Sequence, residues 1–152
     1  MATGSKINDF VLNLAEVIDI DGDAWKLAFS NTAPGSESSN PTADGNGVLA
    51  NVTQISYTNY SDDLTADRIL SSGNLTHTQT SGTFTFDYNA DIVITASGGA
   101  LATWRYFYIW DDTPTSPADP LLGVWDHGSG ITLADGDTAT IAFNASGILT
   151  MS

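Results

Sequence analysis

The histidines and aspartates are the residues of this chain that could carry acid–base chemistry. His77 and His127 are its two histidines, and the sequence contains no cysteine. His77 lies in the stretch THTQT, whose polar alternation favours a surface side chain. His127 ends a predicted strand, and a hairpin would place it near Asp111 and Asp112, where an acid–base pair or a metal site could form. Two histidines on separate strands do not make a catalytic triad, however.

Paired aspartates suggest a second chemistry, the hydrolysis of a glycosidic bond. Of the 18 acidic residues most are aspartates, with adjacent pairs at Asp62-Asp63 and Asp111-Asp112. Glycoside hydrolases use two carboxyl groups that face each other across a cleft, whereas adjacent strand residues point to opposite faces. Asp-rich turns are therefore the favoured interpretation. An Asp-based glycan hydrolase is the weakest of three functional hypotheses.

Alternate aspartates at Asp19, Asp21 and Asp23 raise the question of a calcium site. In an EF-hand loop that begins at Asp19, a glycine would stand at the sixth position and a glutamate at the twelfth. Those positions hold Ala24 and Ser30, which excludes an EF-hand. A looser Ca²⁺ site at the three aspartates stays open beside the favoured interpretation, a solvated turn. No metal and no other cofactor is expected.

The stretch over residues 103–127 contains three of the four tryptophans. Because side chains alternate along a strand, its large aromatic residues share one face: Trp104, Tyr106, Tyr108 and Trp110. The opposite face is apolar apart from Arg105, so we expect the strand to be covered on both sides. A continuous aromatic ridge is more often core or subunit interface than a platform for sugars. We therefore predict a protein interface formed by these four residues and Trp125.

One helix and eight to ten short strands are predicted. Apolar residues with 3, 4 and 7 spacing predict a helix over residues 7–18. Alternating runs predict strands over residues 24–31, 75–80, 83–88, 92–96, 138–143 and 148–151, with turns at Ser81-Gly82 and Asp135-Gly136. The predicted fold class is all-β, a β-sandwich of jelly-roll type with one short N-terminal helix. Residues 1–6 are expected to form a flexible arm and residues 7–152 one domain.

The charge balance excludes some classes of partner. The net charge is −14, with only four Lys and Arg residues. Nucleic-acid binding depends on Lys and Arg, and an anionic membrane surface would repel such a chain, so we expect neither partner. The first residues lack the apolar run of a secretory signal, and no stretch reaches transmembrane length. We therefore expect the chain to act where it is synthesised, in a cytoplasm.

Several sequence blocks stand in a characteristic order: FVLNLAEVIDI, AWKLAFSNTAP, ANVTQIS, SGTFTFDYNADIVITASGG, and a closing block with DDTPTSPADPLLG and LADGDTATIAF. This order, which covers nearly the whole chain, resembles a family of small virion-associated proteins of tailed bacteriophages. The resemblance implies a virion protein made in the bacterial host cytoplasm. It favours a non-enzymatic decoration or cement protein on the capsid surface, with the major capsid protein as partner.

Two further expectations follow from the resemblance. Decoration proteins of this kind often form trimers at capsid three-fold positions, so we expect a homo-oligomer, with residues 1–6 and the loop over residues 33–47 contacting neighbours. The alternative function is a tail, baseplate or fibre component that contacts the host surface or a glycan.

Overall fold

A computed structural model describes residues 3–35, 47–62 and 68–152. In this part the chain is mostly β with one short N-terminal helix, α1 (Phe10–Glu16), and a 3-10 turn at Leu49–Asn51. The strands there are β1 (Thr3–Lys6), β2 (Trp25–Ser30), β3 (Tyr60–Asp62), β4 (Leu75–Thr80), β5 (Thr83–Tyr88), β6 (Ile92–Ala96), β7 (Leu101–Asp111), β8 (Leu121–Leu133), β9 (Thr138–Ile141) and β10 (Leu149–Met151).

The strands form three antiparallel sheets. The first has four strands in the order β1-β8-β7-β2, and the others have three each, in the orders β10-β5-β4 and β3-β6-β9. β7 and β8 are the longest strands and pair from Leu101 opposite Leu133 to Trp110 opposite Leu121. The all-β prediction is confirmed at this level. The sandwich and its jelly-roll type stay predictions.

The central meander follows the sequence pattern closely. The strands predicted over residues 75–80, 83–88 and 92–96 are confirmed as β4, β5 and β6 with the same bounds. Between β4 and β5, Ser81 and Gly82 both have positive φ, at 51° and 88°. A two-residue hairpin turn of type I′ requires positive φ at both of these positions, and Gly82 meets this requirement without steric cost.

The N-terminal helix is shorter than the predicted span over residues 7–18. α1 ends at Glu16, and the Ile18 amide donates to the Asn13 carbonyl at 3.0 Å beyond the last helical turn. Ile7 lies before the helix, is fully buried, and donates its amide to the Leu122 carbonyl at 3.1 Å. The first apolar residue of the pattern therefore anchors the chain to β8 instead of extending the helical face.

The prediction of a flexible arm is wrong for residues 3–6, which form β1 at the edge of the first sheet. Gly4 lies opposite Trp125 and Lys6 opposite Gly123. The outer edge of β8 presents unpaired backbone N–H and C=O groups, which an added strand satisfies. The TGSK sequence has no alternation of apolar residues that would predict a strand. Backbone hydrogen bonds to β8 do not require such an alternation, because they do not depend on the side chains.

Packing between the sheets centres on β2. The Trp25 ring lies 5.3 Å from the Phe86 ring of β5, and the Phe29 ring lies 5.6 Å from the Tyr60 ring of β3. One strand of the first sheet thus contacts both of the other sheets. Trp25 and Phe29 are fully buried, so this strand runs through the middle of the hydrophobic core.

Candidate functional site

The aromatic strand predicted as an interface lies inside the chain. Trp104, Tyr106, Tyr108 and Trp110 each expose at most 7% of their surface. The expected cover on both sides is confirmed, but it comes from the same chain. These four side chains therefore offer no surface to another subunit, which corrects the predicted interface. Trp125 is the one predicted interface residue that stays partly accessible.

Trp104 also lies on a different face of β7 from the other three residues, at a place where the pairing with β8 is irregular. The β7–β8 register shifts between Leu101 and Trp104 and again between Trp104 and Tyr106. Phe29 and Phe107 are register partners, so their side chains share a face, and the Trp104 ring lies 4.8 Å from the Phe29 ring. Trp104 therefore lies on the Phe107 face, and the irregular pairing marks the place where the regular alternation of side chains along β7 is interrupted.

An apolar cleft of about 760 Å³ opens on this face. Aromatic and aliphatic side chains dominate its lining: Trp104, Phe107, Trp125, Ile131, Phe143 and Ile148. The Phe107 and Trp125 rings stack with centroids 5.1 Å apart and planes 4° apart, and the Phe143 ring stands edge-on to both at 6.3 Å. A cleft of this size and lining is typical of binding sites.

Two glycines make room for the Trp125 indole. A side chain at Gly4 would overlap the indole Nε1, and a Cβ at Gly123 would lie 2.9 Å from its Cη2. Gly4 is the register partner of Trp125 on β1, and Gly123 lies two residues before it on the same face of β8. Both approaches are closer than a real Cβ allows, so the glycines let the indole lie flat and stack on Phe107.

An ion pair fixes the chain next to the cleft. The Arg105 guanidinium donates to both carboxylate oxygens of Asp126, at 2.7 and 2.8 Å, and the Gly128 amide donates to the same carboxylate at 2.7 Å. The Arg105 hydrogen bond, together with the Gly128 amide, lowers the pKa of Asp126 to about 2. This bidentate contact holds β8 between Trp125 and His127, which both line the cleft.

The predicted proximity of His127 to Asp111 and Asp112 is wrong. The Asp111 amide donates to the Pro120 carbonyl at 2.9 Å, at the start of β8. His127 instead follows Asp126, which lies opposite Tyr106, and its Nδ1 lies 3.1 Å from the Ser129 carbonyl oxygen. The physical reason is that in an antiparallel hairpin the end of β7 at Asp111 lies beside the start of β8 at Leu121, which is six residues before His127.

Asp111 is a fully buried carboxylic acid at the opposite end of the hairpin. One carboxyl oxygen accepts from the Thr113 amide at 3.0 Å, and the carboxyl group of Asp23 lies beside that of Asp111. Burial raises the pKa of Asp111 to about 7; the Thr113 hydrogen bond opposes this shift, and the neighbouring Asp23 carboxylate adds to it. Asp111 lies outside the cleft, whose described lining contains no acidic residue.

Replacing Asp111 with asparagine is expected to raise the free energy of unfolding at pH 8 by about 2 kcal/mol, with little change at pH 4. An unfolded aspartate releases its proton near pH 3.9, whereas folded Asp111 keeps it until about pH 7. The stability from the protonated group is therefore fully present below pH 3.9 and is lost as the pH rises through 7. Urea unfolding at several pH values measures this difference.

The control for that experiment is Asp91→Asn, which removes the same charge from an exposed turn. It separates the local effect at Asp111 from the general effect of lowering the net negative charge. Equal pH profiles for the Asp111→Asn and Asp91→Asn variants would contradict the assignment of a raised pKa to Asp111.

The three aspartates considered for calcium form a hydrogen-bonded turn. The Asp19 amide donates to the Asp23 carboxylate at 2.7 Å, and the Asp21 amide donates to the Asp19 carboxylate at 3.2 Å. The Asp21 carboxylate lies 3.4 Å from Nδ1 of His77, which is exposed as predicted. In the described part of the chain, no three acidic or histidine side chains converge as a metal site would require.

The cleft contains residues that the sequence alone did not single out. Phe143 lies at the end of a predicted strand, Asn144 follows that strand, and Gly4 belongs to the predicted arm. The apolar alternation before Phe143 was a signal for a buried side chain. Its contact with Trp125 depends on the packing of distant segments, and no local pattern shows that.

Comparison with protein-family models, with curated proteins and with solved structures gives no match. Among the described residues no helix has the length and apolar character needed to cross a membrane.

Proposed function

We propose that this protein is a non-enzymatic structural component of a tailed-phage virion, a decoration protein that binds the major capsid protein on the head surface. The order of sequence blocks described above supports the class. The apolar cleft is the structural observation that carries the proposal. The buried rings of Trp104 and Phe107 form a rigid aromatic floor, and the half-buried Trp125 lies beside it. Such a cleft suits the binding of a segment from a neighbouring protein.

The charge distribution supports an outward-facing position. Of the four cationic side chains, Lys26 lies 2.7 Å from Asp112, Arg105 binds Asp126, and the Arg68 guanidinium lies 3.7 Å from the centre of the Tyr57 ring. Most of the negative charge is therefore not neutralised within the chain. A strongly acidic surface keeps particles soluble and limits their association with one another.

The homo-oligomer, with three copies at a capsid three-fold position, is part of the proposal. Its contacts must differ from the predicted ones, because the aromatic face of β7 is buried and residues 3–6 are already paired with β8. The predicted contact loop over residues 33–47 falls largely outside the described residues. We also propose that the three sheets make a β-sandwich of jelly-roll type, which the contacts of β2 with both smaller sheets support.

A tail, baseplate or fibre component that binds a host glycan is the second candidate. Trp125 favours it, because this half-buried indole stands beside the polar side chains of His127 and Asn144 at the cleft. An aromatic ring with polar neighbours can stack on a sugar and bind its hydroxyl groups. An Asp-based glycan hydrolase ranks last, since Asp111 lies buried and away from the cleft.

The copy number per particle tests the proposed function. We expect quantitative mass spectrometry of purified virions to find this protein in a ratio near one to one with the major capsid protein. A handful of copies would favour the tail, baseplate or fibre. Absence from the particles would contradict both structural functions.

A further inference from the structure

The lining of the cleft shows that it runs along a strand edge. Six consecutive residues, 139–144, contribute to the lining. The face of a strand presents only every second residue, so a continuous run means that the cleft follows the backbone edge of β9 and the segment beyond it. β9 is the outer strand of its sheet, and within the described residues it pairs with β6 alone.

The edge of β9 has the features of a strand that accepts another strand. Natural proteins protect an exposed edge with charged residues or proline, because its unpaired N–H and C=O groups can bind a further chain. β9 has the sequence TATI, with neither charge nor proline. Among the residues that the structure describes, no strand covers this edge, and the apolar lining of the cleft lies beside it.

We propose that the cleft binds an extended segment of a partner protein. The segment pairs with the edge of β9 and places alternate apolar side chains against the partly exposed apolar residues of the cleft, Trp125, Ile131 and Phe143. Main-chain pairing supplies affinity in this mode of recognition, and these side chains supply specificity. Only the identification of the partner as a virion protein rests on the proposed function.

The floor favours a peptide over a sugar. Sugar binding needs an open aromatic face, but Trp104 and Phe107 are almost fully buried, and one face of the Trp125 indole is already stacked on Phe107. Apolar side chains can instead fill the space between Phe143 and the floor. The net charge of −14 favours a partner segment with flanking lysine or arginine residues.

Two alanines in the β9–β10 connection provide a matched pair of variants. Ala142 is exposed and lines the cleft, whereas Ala145 is exposed and is not part of the lining. Ala142→Glu places a charged side chain at the cleft, and Ala145→Glu adds the same charge three residues away. Both positions are exposed, so neither substitution disturbs the hydrophobic core.

The experiment selects binders from a random-peptide display library with the full chain, and then titrates a synthetic enriched peptide against each variant. We expect the enriched sequences to alternate apolar and polar residues. Affinity should fall by about tenfold or more in Ala142→Glu and stay within about twofold in Ala145→Glu. Hydrogen exchange should slow at the alternate amides of β9 that point away from β6 when the peptide binds, because only these amides become newly paired.

Three results would overturn the proposal. They are a selection that enriches no binder, equal affinity for both variants, or binding without protection of the β9 amides. Binding of N-acetylglucosamine oligomers at the cleft in place of peptides would assign it to a glycan. The virion copy number is measured independently, so either proposal can fail while the other stands.

Discussion

Replacing Phe29 with alanine is expected to lower the free energy of unfolding by about 4 kcal/mol. Phe29 is fully buried and contacts three aromatic rings, those of Trp104 at 4.8 Å, Tyr60 at 5.6 Å and Tyr57 at 6.5 Å. Removing its ring leaves a cavity that these rigid neighbours cannot fill. Because Trp104 forms part of the cleft floor, the substitution should also weaken peptide binding. Denaturant unfolding measures the stability change.

The control for this prediction is Phe29→Leu, which keeps most of the buried volume and should lower stability by less than about 2 kcal/mol. The Phe29 amide donates to the Tyr57 hydroxyl at 2.9 Å, and both variants can keep that backbone hydrogen bond. The difference between them therefore reports on the ring contacts. A loss below about 1 kcal/mol in Phe29→Ala would show that the aromatic cluster does not stabilise the core.

Local patterns were sufficient to predict the central strands. β5 and β6 alternate more buried and less buried side chains, and the turn between β4 and β5 contains Gly82, which adopts positive φ without steric cost. The pattern and the turn chemistry each depend on a few neighbouring residues. No distant contact has to be known for such a prediction to be correct.

Residues whose position depends on register were not predictable in the same way. Regular alternation places Trp104 on the face of Tyr106, whereas its ring contacts Phe29 on the Phe107 face, and the β7–β8 register is irregular at this point. A shift of one residue moves every following side chain to the other face, and nothing in the aromatic run indicates where a bulge will occur. The predicted aromatic interface was wrong for two reasons. Trp104 does not share a face with the other three residues, and residues of the same chain bury all four side chains.

The cleft could not be predicted because its parts are distant in the sequence. Gly4, Trp125 and Phe143 meet only after β1 has joined the edge of β8 and the β9–β10 connection has folded over the first sheet. Trp125 is a predicted interface residue, and its contact with a partner stays a prediction. Its place beside the edge of β9 is a property of the three-dimensional arrangement.

Replacing Gly147 with alanine is expected to lower the free energy of unfolding by about 3 kcal/mol. Gly147 has a φ of 93°, and an added Cβ would lie 2.6 Å from Cγ2 of Thr85 and 2.9 Å from the Phe86 carbonyl oxygen. The next residue, Ile148, donates its amide to that same carbonyl at 2.8 Å. The methyl group therefore pushes the connection before β10 away from β5. Thermal and denaturant unfolding measure the loss.

Gly136→Ala separates the two causes of this loss, the positive φ of the backbone and the steric overlap of the added Cβ. Gly136 has a similar φ of 85°, but an added Cβ there meets no atom within 4 Å. Gly136→Ala should lower stability by about 1 kcal/mol, the cost of the backbone conformation alone.

Because Gly147 and Ile148 both line the cleft, Gly147→Ala should also reduce affinity for the selected peptide, whereas Gly136→Ala should not. Equal stability losses in the two variants would mean that the connection yields to the methyl group without strain. Unchanged peptide affinity in Gly147→Ala would mean that the position of this segment does not shape the cleft.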